Sequence, residues 1–122
     1  MILLNDFFFI LQQETTSNSI QAKITINSEH KILKGHFPGM PVVPGVCMVN
    51  LILEIMERLM AKPVHLSEAS SIKFLAMMVP ADYKAIEVVI DHTIQQEKIS
   101  IKASIFSGTT TFFKLNGTLI VG

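Results

Sequence analysis

The sequence predicts an α+β fold in which a curved antiparallel sheet of about six strands wraps round one long apolar helix. Two patterns carry that prediction. A single stretch near the middle of the chain has helical periodicity with only a narrow polar stripe, and most of the remainder alternates apolar and polar residues with a period of two.

The elements follow in chain order. Residues 7–11 are a continuous apolar run closed by the polar cluster Thr15-Thr16-Ser17-Asn18-Ser19, a strand and then a turn. Ile20, Ala22, Ile24 and Ile26 then face one way while Gln21, Lys23, Thr25 and Asn27 face the other, the pattern of a half-buried strand. Residues 30–43 read as loop. From Pro44 or Gly45 to Ala61 the period is helical, with proline suited to the first turn and Pro63 unable to continue the helix. Asn50, Glu54, Glu57 and Arg58 make its polar stripe, so the rest of its circumference must be covered. Period-2 alternation resumes over 71–79, 86–92, 98–106 and 111–121, with turns at 93–97 and at Gly108.

At 122 residues the chain is read as a single domain, 1–122. With 49% hydrophobic and only 16% charged residues it is apolar-rich for a small monomer, which predicts an oligomer. Ten basic and ten acidic side chains cancel without forming blocks, arguing against nucleic acid or an anionic membrane as partner. The lone Cys47 fits a reducing compartment, and the start Met1-Ile2-Leu3-Leu4-Asn5-Asp6 lacks the cationic region of a secretion signal; the cytoplasm is expected. Charged and helix-breaking residues interrupt the apolar run at 42–60, so it does not read as a membrane span. His30, His65 and His92 are scattered without a ligand spacing, and no metal site is expected.

The loop before the helix carries the chemistry. Prolines 38, 41 and 44 stiffen it, and glycines 39 and 45 allow sharp turns or close backbone approach to a ligand. His36 is the side chain best suited to move a proton near neutral pH. The loop runs into a helix N-terminus, whose free N–H groups can polarise a carbonyl oxygen.

Gly35-His36-Phe37-Pro38, Pro41-Val42 and Pro44-Gly45-Val46, in this order and spacing, closely resemble the signature of the hotdog-fold 3-hydroxyacyl-acyl-carrier-protein dehydratases of the FabZ and FabA type. Lys73-Phe74 and Val79-Pro80-Ala81-Asp82 resemble a second segment of that family. The resemblance spans the chain, with a shorter region before Ser19. It implies that His36 removes the α-proton of a 3-hydroxyacyl thioester, that the Gly45 N–H polarises the thioester carbonyl, and that a carboxyl at position 50 protonates the departing hydroxyl. Phe37, Pro38, Val46 and Met48 are the implied substrate-binding residues. It also implies a homodimer or higher oligomer with the acyl tunnel at its interface, and no resident cofactor. The acyl group would be carried on phosphopantetheine, of an acyl carrier protein or of coenzyme A.

Position 50 departs from the family, because asparagine can donate a hydrogen bond but cannot deliver a proton, which forfeits a general-acid contribution of about 10²- to 10⁴-fold. One turn later stands Glu54, roughly 6 Å along the helix, as a displaced acid whose pKa burial would raise. Three activities stay open on these residues. The first is dehydration in fatty acid or related acyl-chain biosynthesis; the second is an acid-less subunit of a heterodimer with another hotdog chain; the third is acyl-thioester hydrolysis.

Overall fold

The computed structural model describes residues 2–36 and 41–122, the side chains of Gly35 and His36 excepted. The elements are β1 (Phe8–Thr15), β2 (Ser19–Ile26), α1 (Lys31–His36), α2 (Gly45–Met60), β3 (Val64–Phe74), a 3₁₀ turn at Pro80–Asp82, β4 (Ile86–Gln95), β5 (Lys98–Ser107) and β6 (Thr110–Val121). The six strands form one sheet in the order β1-β2-β4-β5-β6-β3, with every neighbouring pair antiparallel. This is the hotdog arrangement that the resemblance implies, a curved sheet around one long helix.

Alternation explains how the sheet closes on the helix. Ile20, Ala22 and Ile24 of β2, Ile86, Val88 and Ile90 of β4, and Ile99, Ile101, Ala103 and Ile105 of β5 are all buried, while their sequence neighbours are more exposed. They share one core with Leu51, Ile52, Ile55 and Met56 of α2. At about 25 cal/mol per Å² of apolar surface, this continuous core is the main term favouring the fold.

Both ends of α2 match the sequence. Pro44 precedes it in extended conformation, and Ala61 ends it in the left-handed region at φ 55°, its N–H donating to the Glu57 carbonyl. The Glu57 carboxylate then accepts the Val64 N–H at 2.9 Å, which ties the helix end to the start of β3.

Four boundaries differ from expectation, the first being β4, which runs on to Gln95 by pairing Thr93, Ile94 and Gln95 with β5 where a turn was expected from 93. Residues 31–36, read as loop, form the short helix α1, whose Leu33 is buried. The strand expected over 71–79 begins at Val64 and stops at Phe74, because its first half pairs with β6 despite a polar, largely exposed sequence. The first strand continues past residue 11 to Thr15 through pairing with β2.

At the β3 edge, register shifts fall between Leu66 and Glu68 and between Ala69 and Ser71. They lie opposite Gly117, where a Cβ would stand 2.5 Å from the Glu68 carbonyl oxygen, so glycine is what lets the bulged strand approach. Among the described residues, no helix is long and apolar enough to cross a membrane.

Candidate active site

The backbone of α1 ends on His36. The side chain of His36, and Phe37 and Pro38 entirely, lie outside the described residues, so the loop is defined by its two ends. On the far side, Val42 and Val43 are buried and the Val43 N–H donates to the Met78 carbonyl at 2.9 Å, which anchors the return of the chain before Pro44 turns into α2.

Beside that anchor an apolar cleft of about 470 Å³ opens at the first turn of α2, walled by Val43, Gly45, Met48, Phe74, Leu75 and Met77. Gly45 is essential to its shape, since a Cβ there would lie 2.6 Å and 2.8 Å from Cε1 and Cζ of Phe74. The first N–H groups of a helix have no helical acceptor, and here they begin at Gly45, against the apolar wall. Such a site suits a ligand with an apolar chain and one carbonyl to polarise. Met48 is buried and lines this cleft; Val46, 65% exposed, points away from the core of the single chain.

One turn further along α2, Nδ2 of the half-buried Asn50 donates to Oε2 of Glu54 at 2.6 Å. Glu54 is buried, and its carboxylate also receives backbone donors from the start of the chain: the Leu3 N–H at 2.9 Å to each oxygen and the Leu4 N–H at 2.9 Å to Oε1. Both oxygens therefore face N–H donors. To give a proton to a departing hydroxyl, Glu54 would have to present an O–H in place of one of these contacts.

The remaining candidates stand apart. Burial pushes the Cys47 thiol up, which suits an inert core residue rather than a nucleophile. Among the described residues, no three His, Cys, Asp or Glu side chains converge as metal ligands. A further cleft of about 550 Å³ includes Asp91, Ser100, Lys102, Asn116 and Thr118; its polar strand positions alternate with the core-facing ones, and it contains none of the predicted site residues. Sequence reasoning missed Phe74 and Leu75 as cleft walls and Leu3 and Leu4 as donors. The apolar triplet Phe74-Leu75-Ala76 was a signal for the first pair; backbone donors carry none.

A family model described as ApeI-like, ApeI dehydratase, matches residues 12–112. FabZ 3-hydroxyacyl-acyl-carrier-protein dehydratase of Oenococcus oeni is 33% identical over 78 residues, 58% of this chain and 55% of the relative. That of Rickettsia massiliae is 36% identical over 76 residues, 56% of this chain and 51% of the relative. The chain thus spans about half the length of the curated relatives it matches. Among solved structures, the dehydratase heterocomplex ApeI:P from Xenorhabdus doucetiae superposes with a TM-score of 0.73 at 16% identity, covering 92% of this chain and 96% of that one. The fluoroacetyl-CoA thioesterase FlK gives 0.67 at 14% identity, covering 91% and 90%. At these identities the structural likeness shows the fold.

Proposed function

Because the chain belongs to the ApeI-like dehydratase family, we propose that it eliminates water from 3-hydroxyacyl thioesters to give trans-2-enoyl thioesters, with the acyl group carried on the phosphopantetheine of an acyl carrier protein. The observation that carries this reading is the apolar cleft at the first turn of α2, entered directly after the His36 loop. In the proposed reaction the acyl chain lies along Met48 and Phe74, and the Gly45 N–H holds the thioester oxygen as enolate charge develops. His36 takes the α-proton, the Cα–Cβ double bond forms, and the Cβ–O bond breaks as the hydroxyl leaves with a proton as water. Phe37 and Pro38 keep the substrate-binding role that the family signature implies, and Val46 contributes where subunits meet. Asn50 orients the hydroxyl, and Glu54 behind it at 2.6 Å supplies the proton. The setting proposed is cytoplasmic acyl-chain synthesis, with no resident cofactor.

One observation favours a second reading. The Glu54 carboxylate is already engaged by the Leu3 and Leu4 N–H groups, so a carboxyl from another hotdog chain is the alternative source of the proton. The Xenorhabdus doucetiae neighbour is a dehydratase heterocomplex, which supports testing a mixed dimer.

The test follows enoyl product and free thiol together on a 3-hydroxyacyl pantetheine thioester, for wild type, Glu54→Gln and Asn50→Glu. Loss of at least about 10²-fold in Glu54→Gln with the fold retained supports Glu54 as acid. An inactive wild type that gains dehydration through Asn50→Glu supports the partner-subunit reading. Release of thiol without enoyl product identifies a thioester hydrolase and ends the dehydratase proposal.

A further inference from the structure

His30 is buried at the residue before α1, and both of its ring nitrogens are engaged. Nδ1 accepts the Ile32 N–H at 3.1 Å, so the imidazole does for this helix what a serine or asparagine does at an ordinary N-cap. Since Nδ1 is the acceptor, the ring hydrogen is assigned to Nε2, which donates to Oδ2 of Asp6 at 3.1 Å. The ring also meets Phe7 edge to face, with centroids 5.2 Å apart.

Asp6 belongs to a tight turn in which the Leu3 carbonyl accepts the N–H groups of Asp6, Phe7 and Phe8. Asn27 fastens that turn to the end of β2, its Nδ2 donating to the Asp6 carbonyl at 3.2 Å and its N–H to the Phe7 carbonyl at 2.8 Å. The opposite side of the same turn rests on α2, through the Leu3 and Leu4 N–H groups on Glu54. A single turn of chain therefore joins the Asn50–Glu54 face of α2 to the start of the helix that ends at His36.

That helix cannot hold itself. Six residues are too few for a stable isolated helix, and its first turn has no acidic residue. We propose that the turn at 2–8 is a brace that fixes the start of α1, the helix that leads to His36, relative to α2, with His30 and Asp6 as positioning residues. The inference rests on the dehydratase reading for its kinetic consequence alone.

Amide hydrogen exchange and enoyl-forming kinetics on the full chain test it. His30→Ala is expected to raise exchange of the amides at 32–36 about five- to tenfold, the size of a lost cap, while Ile86–Gln95 and Lys98–Ser107 stay protected. Enoyl-forming kcat should fall by about tenfold with KM within about twofold, because a displaced base weakens the transition state rather than binding. His30→Asn, which keeps a cap acceptor, should recover most of the protection. Should His30→Ala lose protection throughout the sheet, Asp6→Ala decides: its side chain is 71% exposed, and loss of its carboxylate should give about a threefold change at 32–36. Exchange at 32–36 within the error of wild type in both variants overturns the brace, as does deprotection of α1 that leaves kcat unchanged. A wild type that makes no enoyl product, with α1 deprotected in the variants, overturns the reading of this chain as a self-sufficient dehydratase and leaves the brace standing.

Discussion

His92 carries an imidazole into the core, and among the described residues neither ring nitrogen has a hydrogen-bond partner. Burial disfavours the imidazolium and holds its pKa below the ordinary 6.5, while the neighbouring Asp91 carboxylate pulls upward more weakly. As pH falls through 6.5 the unfolded chain binds a proton at this site before the folded chain does, so folding stability is lost on the acid side. Urea melts at pH 5.5 and 7.5 should show the wild type weaker at the lower value. His92→Leu should shrink that difference, and at pH 7.5 it should gain about 1 kcal/mol by removing an unpaired buried N–H. Gly45 gives a second prediction at this scale. In Gly45→Ala the new methyl must push aside the Phe74 ring, which is 57% exposed and can swing outward. We expect a stability loss of about 1 kcal/mol, but a raised KM for long acyl thioesters as the displaced ring crosses the cleft.

Between elements, the pairing of β3 with β6 depends on Gly117. A side chain there meets the backbone of Glu68 rather than a movable ring, so Gly117→Ala should cost more than about 2 kcal/mol, read by thermal or urea unfolding, and should expose β3 amides to exchange. The same strand shows how legibility varied. The limits of α2 could be read from Pro44 and Pro63, and β4 to β6 from strict alternation, because each of these signals is local. β3 was read late because Ser67, Glu68, Ser70 and Ser71 have no apolar face to reveal; its pairing comes from β6. α1 was missed because six residues give no period and its cap is a histidine. The polar stripe of α2 was legible, but not that Glu54 would leave solvent to meet donors 50 and 51 positions away.

For the whole molecule, five exposed apolar residues gather at one place, apart from Ile2, Phe9, Leu11 and Ile94 elsewhere on the surface. Val46, Ile72, Phe74, Leu75 and Met77 are all more than two-fifths exposed, around the first turn of α2 and the end of β3. An apolar surface beside the β3 edge, which pairs with no further strand among the described residues, needs covering, which supports the proposed oligomer. Sedimentation equilibrium of the purified chain should therefore give a dimer or larger, and Phe74→Glu should shift it toward monomer by placing a charge in the covered patch. If the chain is monomeric alone but forms a stoichiometric complex with a second hotdog chain, the mixed-dimer reading gains and the homodimer falls.

The strand order β1-β2-β4-β5-β6-β3 also dictates how the chain comes together in time. β1 with β2, and β4 with β5 and β6, are hairpins that close over short loops and so form early. Two seams remain: β2 must find β4, setting Ile20 against Ile90, and β3 must find β6, setting Val64 against Val121. Each closes a long loop, and together they carry most of the loop-closure entropy. Since α2 leads straight into β3, we expect docking of the helix into a half-built sheet to limit the folding rate, so truncating Ile52 or Ile55 should slow refolding more than it speeds unfolding. The elements that shape the cleft would then be the last to assemble.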